Sequence, residues 1–293
     1  MQSLPGASDP VTGIPSRIRD GEEGWQARLH LGFVRCGARS VLAGRNHEGP
    51  LVVQKALYPE GPQTCHVHMI HPPGGVVGGD RLDISVATGD QSHALITTPA
   101  AGKFYRSAGP VARQWVHLDL HRRSALEWLP QESIVYDQAC VETGLRVDLG
   151  DHSRFVGWEL ICLGLPASAK PFRDGRVLQR LEIHREGLPL LVETLRIRGR
   201  DPVLSASWGL RGYPVSGVLA ATVEDPQAAD RVRQGIGESN ASSFAATCIQ
   251  GLLVCRFLGN RVADGLSCFR GVWKMIRPLV LGRPACEPRI WNT

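Results

Sequence analysis

The feature that most constrains the fold is an alternation of apolar and polar residues, which recurs between Gly, Pro and Asp turns over about residues 25–220. In the segment LDISV, residues 82–86, apolar Leu82, Ile84 and Val86 alternate with a polar Asp and a polar Ser. Successive side chains of a β-strand point to opposite faces, so the pattern predicts consecutive strands that each have one dry face. No helical pattern interrupts this region, and a sandwich, a barrel and a strand solenoid all stay possible. The residues by themselves therefore predict a mainly β fold.

Two stretches, residues 155–163 and 190–197, are more continuously apolar. Strands that are covered on both faces lose the alternation, so both stretches are predicted to be central strands. Glu159 in the first stretch, and Glu182 between Leu181 and Ile183, are acids in apolar surroundings. Each of them points either into the interior or into a hydrated channel, or else lies on a solvated strand face.

The C-terminal part changes to helical signals. Asp225 and the proline after it predict an N-cap and a first turn, and Gly235 predicts the end of this short helix. A second helix is predicted from an apolar stripe at spacings of three and four, with a stop at Gly282 and with Pro278 expected to kink or shorten it. The segment GLLVCRFLG between the two helices predicts one buried strand.

Residues 1–20 are rich in Pro, Ser, Gly and charge and lack the apolar segment of a secretory signal, so they predict a disordered leader. Residues 21–293 are predicted to form one domain, β-rich over 21–220 and with two helices and a strand over 221–293. No run of about 18 apolar residues predicts a membrane span. Eight scattered cysteines without a C-x-x-C pair favour reduced thiols in the cytoplasm over a disulfide framework. The net charge of +5 is modest and not gathered into one run, which argues against nucleic acid as the partner.

The segment HPPGGVVGGD, residues 71–80, is either a tight crossing between strands or a binding loop, because glycine permits positive φ and close approach of another chain. Gly74 and Gly79 have the glycine spacing of a phosphate-binding P-loop, but Asp80 stands where that loop requires a lysine. Nucleotide hydrolysis by this chain is therefore not expected.

Four potential metal ligands, Cys65, His66, His68 and His71, lie within seven residues just upstream. On a strand, His66 and His68 would share one face and could chelate a divalent ion. The alternative is a polar strand face without an ion, because no second ligand pair completes a tetrahedral site.

The segment TTPAAGKFYRS, residues 97–107, ends in Lys103, Phe104, Tyr105 and Arg106. Aromatic residues interleaved with cations suit a protein interface, although the rings of an amphipathic strand can equally lie in the core.

Four blocks in order, CHVHMIHPPGGVVGGDRLDISV, LITTPAAGKFYRS, EWLPQESIVY and LVLGRPACEPRIWNT, resemble the UreD (UreH) family of urease accessory proteins over about residues 24–293. The resemblance implies a mainly β fold in which the strands form a right-handed, β-helix-like superhelix, with two helices near the C-terminus. It also implies a non-catalytic scaffold that binds UreF and, through it, the GTPase UreG. This assembly would dock on the urease apoprotein and help to insert nickel.

The resemblance further implies a hydrated nickel passage lined by acids, for which Asp80, Glu60, Glu159 and Glu182 are the candidates here. Transient Ni²⁺ would then be the cargo, with no tightly bound cofactor, and carboxylates suit a weakly held ion. His66 and His71 are weaker metal candidates. Partner contacts are expected at residues 103–106 and in the tail, where Arg289 and Trp291 are the candidate residues.

Two other readings stay open from the residues. A metal-binding transfer protein acting alone would use Cys65 and the three histidines after it. A β-solenoid enzyme acting on carbohydrate would use Glu159 and Glu182 as acid and base in an open cleft.

Overall fold

The computed structural model describes residues 24–236 and 244–292, so the predicted leader lies outside the described residues. The strands are β1 (Gln26–Cys36), β2 (Arg39–Glu48), β3 (Val52–Val53), β4 (Cys65–Ile70), β5 (Arg81–Thr88), β6 (His93–Thr97), β7 (Gly102–Phe104), β8 (Ala112–Leu120), β9 (Ala125–Leu129), β10 (Ser133–Val135), β11 (Cys140–Leu149), β12 (Arg154–Leu163), β13 (Arg176–Arg185), β14 (Leu188–Arg198), β15 (Val215–Thr222), β16 (Phe244–Ile249) and β17 (Leu252–Gly259). The helices are α1 (Ala228–Ile236) and α2 (Val262–Leu281).

The strands form stacked coils. One sheet has the order β14-β13-β11-β8-β5-β1-β2, and the other runs β16-β17-β15-β12-β9-β6-β4-β3. From β4 to β13 the chain alternates between the two sheets, so that β5, β8, β11 and β13 pair in parallel in one sheet and β4, β6, β9 and β12 do so in the other. Short β7 and β10 add a third side to the coils. The result is a solenoid-like stack of about four turns, and the predicted mainly β fold is confirmed.

The two sheets have different outer faces. The second sheet is covered by α2, which packs on β12, β15 and β17, and we call it the helix-backed sheet. The first is called the seven-stranded sheet. One apolar core fills the space between the sheets, with Leu31, Leu118 and Leu126 fully buried, and a second core lies under α2 around Trp158 and Phe269. Within the described residues, no helix combines the length and the apolar character that a membrane span requires.

The two continuously apolar stretches have different positions in the structure, and one strand was not predicted. The stretch 155–163 is central, since β12 lies between β9 and β15 and is almost wholly buried. The prediction for 190–197 is wrong, because β14 is the edge of the seven-stranded sheet and exposes Leu188 at 70% and Val192 at 53%. The stretch is rich in Leu, Val and Ile, but among the described residues no further strand pairs with β14 beyond its hairpin with β13. The strand β16 was not predicted, because its short, small-residue sequence carries little hydrophobic pattern.

The helix boundaries follow the sequence signals with small differences. Asp225 accepts a hydrogen bond at its Oδ1 from the Gln227 N–H at 2.9 Å, as expected of a cap, and α1 continues one residue past Gly235. Pro278 does not shorten α2, which continues to Leu281. The stop at Gly282 is confirmed, with φ of 67° and its N–H bonded to the Pro278 carbonyl.

Candidate functional site

A cavity of about 600 Å³ lies between the two sheets at the end of the stack where β14 and β16 are the edge strands. Its walls come from β8, β11, β13 and β14 on one side and from β12, β15, β16 and β17 on the other. Strand register explains the lining, because residues that are opposite each other on adjacent strands share a face. Glu159 pairs with Val218, which pairs in turn with Arg256, and this row faces a row from the other sheet that includes Leu181 and Glu193.

Glu159 lies at the inner end of this cavity. The Trp128 indole N–H donates a hydrogen bond to its Oε1 at 2.9 Å. A small void of about 10 Å³ continues past the carboxyl group, but apolar Phe155 and Leu145 line it. Burial raises the pKa of Glu159 to about 7, and the Trp128 hydrogen bond only partly opposes this. The carboxyl group is therefore poised to take up or release a proton near neutral pH.

The outer part of the cavity carries charges of both signs. Arg256 on β17 forms an ion pair with Glu193 on β14, which connects the two sheets across the cavity. Arg211, on the segment before β15, also lines this part and is exposed. Here a cation would meet both carboxylate and guanidinium groups.

A second concave surface, of about 720 Å³, lies on the outer face of the seven-stranded sheet. Trp115 lies over Gly144, where a Cβ atom would be 2.0 Å from the indole ring. Glu182 lines this groove and pairs with Arg180 at 2.8 Å. Since Glu182 follows Leu181, whose side chain faces the inter-sheet core, the groove and the cavity lie on opposite faces of the sheet.

A buried charge network joins α2 to the early coils. The Arg277 guanidinium is fully buried and donates to both carboxylate oxygens of Glu127, at 2.9 Å each, and to both of Glu60, at 2.6 and 3.0 Å. His93 and Trp273 also hydrogen-bond Glu127, at 2.9 and 2.7 Å.

Burial by itself would raise the pKa of both acids in this network. Hydrogen bonds from His93 and Arg277 outweigh it for Glu127, and those from His66 and Arg277 do so for Glu60, so that the pKa of each is lowered to about 2. Both acids are therefore ionised and serve an internal ion pair.

Comparison with known proteins decides the family. The model of the UreD urease accessory protein family matches residues 26–292. The urease accessory protein UreD of Azoarcus sp. (strain BH72) is 44% identical over 93% of this chain and 95% of its own. The protein of the same name from Dechloromonas aromatica (strain RCB) is 42% identical over 92% and 95%, and that from Janthinobacterium sp. (strain Marseille) is 40% identical over the whole of both chains.

The chain belongs to the UreD family. Membership supports a role in urease maturation, in contact with the urease machinery and as an accessory rather than a catalytic component.

The four acids predicted for a passage in this UreD-family chain do not line one cavity. Glu159 lies in the inter-sheet cavity, Glu182 in the outer groove and Glu60 in the buried network. Asp80 closes a turn, where its Oδ1 accepts from the Trp25 N–H and its Oδ2 from the Val77 N–H, both at 2.9 Å. Glu159 and Glu182 thus share no cleft, and the geometry gives no support to their use as the acid and base of one glycosidase.

In the segment with the predicted metal ligands, His66 and His68 are hydrogen-bonded to other side chains of the chain. His66 shares a 2.7 Å hydrogen bond with Glu60, and His68 shares one of 3.1 Å with Gln54. Burial lowers the pKa of both His68 and His71, so that they stay neutral near pH 7. In the part of the chain that the structure describes, no three His, Cys, Asp or Glu side chains are grouped to hold a metal ion.

The glycine segment 71–80 packs as a tight crossing. A Cβ atom on Gly75 would lie 2.1 Å from the Tyr105 ring, and one on Gly78 would lie 2.2 Å from the Ser107 hydroxyl. Val76 is buried and its N–H donates to the Lys103 carbonyl at 2.7 Å. The geometry therefore favours the crossing over a binding loop.

The residues predicted for partner contacts are divided between surface and core. Phe104 is fully buried, and Arg106 is exposed, whereas Lys103 is half-buried. Tyr105 packs against the ring of Tyr136 at 4.9 Å between centroids.

In the tail, Arg289 is exposed, but Trp291 packs against Trp158 and Trp273 and donates to the Thr97 hydroxyl at 2.8 Å. The tail is therefore anchored to its own chain through Trp291.

Sequence reasoning missed Glu127, Arg277, Glu193 and Arg256. A signal existed for the first two, since Glu127 interrupts the apolar run ALEWL and Arg277 directly follows Ile276 of the predicted apolar stripe. Charges in such places require buried partners. Glu193 and Arg256 carried the same signal, since each interrupts an apolar stretch that was predicted to be a buried strand, but only the closure of the two sheets shows that they are partners.

Proposed function

We propose that this chain is a scaffold for urease maturation that, with UreF and the GTPase UreG, docks on the urease apoprotein and helps to insert nickel. The observation that supports this most directly is the cavity between the sheets, with the Glu159 carboxyl group at its inner end. A carboxylate is a weak, hard ligand that can take a Ni²⁺ ion and release it again. The ion is cargo in this proposal, and GTP hydrolysis belongs to UreG.

Exposed aromatic and apolar side chains support the scaffold role. Trp208 is 74% exposed and Trp25 is 66% exposed, and Leu188 on the edge strand β14 is 70% exposed. Tryptophan is enriched at protein interfaces, and an exposed apolar edge strand such as β14 can pair with another chain. The partners we propose are therefore proteins, in the cytoplasm, rather than nucleic acid or a membrane.

The test is a pair of isosteric variants, Glu159→Gln in the cavity and Glu182→Gln on the outer face. Each is co-expressed with UreF, UreG and urease apoprotein, and the nickel content and activity of the urease are measured after incubation with Ni²⁺ and GTP. We expect Glu159→Gln to lower nickel loading about tenfold, as loss of one ligand contact of about 1.4 kcal/mol would. Glu182→Gln is expected to load normally.

Complex assembly is followed in parallel by pull-down with tagged UreF, so that a loading defect is not confused with a lost scaffold. Normal loading by Glu159→Gln in an intact complex would contradict the cavity as the nickel route. Failure of the unaltered chain to bind UreF and to support urease activation would contradict the scaffold role itself.

The isolated metal-transfer alternative makes a different prediction, namely tight Ni²⁺ or Zn²⁺ binding by the chain alone. His66 and His68 are already hydrogen-bonded to Glu60 and Gln54, so a metal would have to displace those contacts. The geometry therefore favours the scaffold.

A further inference from the structure

The charged side chains of the inter-sheet cavity are unevenly distributed. Of the described residues that line it, the ionisable ones are Glu159 at the inner end and Arg180, Glu193, Arg211 and Arg256. Arg180 is bonded to Glu182 on the outer face of its sheet. The outer part of the cavity therefore holds the guanidinium groups of Arg256 and Arg211 with one carboxylate, Glu193.

The geometry assigns that carboxylate to Arg256. Arg256 lies in the row of the helix-backed sheet that also contains Glu159, two strands away. Glu193 pairs in register with Leu181 on the other sheet and thus projects into the same space, where it forms the ion pair with Arg256. Both partners are partly exposed, Arg256 at 50% and Glu193 at 28% of the side chain, so water and ions reach the pair.

We infer that Glu193 acts as the counter-charge that lets a divalent cation pass Arg256, and that it does not act as a nickel ligand. This inference rests on the proposed function, since it concerns how the same cavity admits Ni²⁺. A fixed guanidinium beside the path repels a divalent ion, and because Arg256 is half-exposed, solvent and salt screen part of that repulsion. When Glu193 is paired with Arg256, the charge of that guanidinium is compensated, so that of the two outer arginines only exposed Arg211 lacks this counter-charge, and the acid at the inner end supplies the attraction.

The pairing makes an unusual prediction for three variants. Glu193→Gln leaves the Arg256 charge uncompensated, and nickel loading of urease should fall about tenfold, which corresponds to about 1.4 kcal/mol. Arg256→Gln removes the obstacle and should load at least as well as the parent chain. Glu193→Gln combined with Arg256→Gln should recover loading to within about twofold of the parent, because the charge that caused the defect is gone.

The assay uses the full chain in its complex with UreF, UreG and urease apoprotein, with Ni²⁺ as the probe and urease nickel content as the readout. Loading is measured at two salt concentrations, since the defect of Glu193→Gln should shrink when salt screens the guanidinium. Pull-down and thermal unfolding of each variant control for assembly and folding. Glu48→Gln is the matched control for loss of one negative charge, because neither Glu48 nor its partner Arg28 lines the cavity.

A combined variant as defective as Glu193→Gln alone would overturn the inference, because it would show that the carboxylate itself is needed. Normal loading by Glu193→Gln would overturn it as well. The cavity route fails separately, if Glu159→Gln loads nickel like the parent in an intact complex, and the scaffold role fails if the unaltered chain neither binds UreF nor supports urease activation. A defect of Glu159→Gln together with normal Glu193→Gln would leave the cavity route standing and remove only the role of the ion pair.

Discussion

Arg277 offers the sharpest test of what holds this fold together. Its guanidinium is fully buried and neutralises two carboxylates, Glu127 and Glu60, that lie on different early parts of the chain. Replacement by methionine keeps most of the volume of the side chain but leaves both acids without their main cation. Breaking a buried ion pair from one side costs about 3–5 kcal/mol, because a charge then stays buried without a partner.

The expected effect on thermal unfolding follows from that cost. For a domain of this size about 1 kcal/mol changes Tm by roughly 2–4 °C, so the cost of about 3–5 kcal/mol should lower Tm by about 6–20 °C in Arg277→Met. The effect depends on pH with a defined sign. Since the pKa of each acid is lowered to about 2 from an ordinary value of 4.5, the stabilisation is fully present above pH 4.5 and is lost as pH falls toward 2. The difference between parent and variant should therefore narrow in acid.

The measurement is near-ultraviolet circular dichroism during heating, in which Trp273 beside Arg277 reports on packing. Arg283→Met is the matched control, because Arg283 also contacts the Glu60 carboxylate, at 3.5 Å, and hydrogen-bonds Gln63 and the Glu60 carbonyl, at 2.7 and 2.8 Å. Since Arg283 is 23% exposed and its loss leaves Arg277 in place to neutralise Glu60, it should cost less than Arg277→Met. Adding Glu127→Gln to Arg277→Met should recover part of the loss. Equal, small decreases in Tm for the Arg277 and Arg283 variants would refute the reasoning.

Two further predictions concern single acids. Glu159→Gln should stabilise the protein by on the order of 3 kcal/mol at pH 8 and not at pH 4, because the pKa raised from 4.5 to about 7 makes the parent lose stability as pH rises between these values. Urea unfolding at the two pH values measures this, and a stability difference independent of pH would contradict it. Asp80→Asn should cost about 1–2 kcal/mol of stability, since one of the acceptors for the Trp25 and Val77 N–H groups is lost. Asp83→Asn, in the outer groove of the seven-stranded sheet, should cost under about 1 kcal/mol. Equal losses of stability in the same urea assay would count against the role of Asp80 in the turn.

The strands of the early and middle coils could be predicted because each has one face in the inter-sheet core. The alternation at residues 82–86 appears as β5, in which Leu82, Ile84 and Val86 are buried. The edge position of β14 could not be predicted, because local sequence reports that a strand is apolar but not whether another strand covers it. The choice of a solenoid over a sandwich or a barrel came only from the family resemblance, and the pairing of particular strands was not predicted.

The site was less predictable than the fold. Glu159 was identified as an acid in an apolar run, and it does line a cavity. Glu182 has the same local pattern but faces the outer groove, since a neighbouring position on a strand reverses the direction of the side chain. The partners of Glu60 were not foreseeable for another reason, namely that Arg277 lies 217 residues further along the chain.

That separation has a consequence for synthesis. While the coils emerge from the ribosome, Glu60 and Glu127 have no guanidinium beside them until α2 has been made. Since an ionised carboxylate without a partner is costly to bury, we expect the coils around these acids to stay hydrated until then. When α2 packs, Arg277 neutralises both acids, and water can then leave this part of the interior. A nascent or truncated chain that lacks Arg277 should therefore keep an incompletely packed, hydrated interior around Glu60 and Glu127.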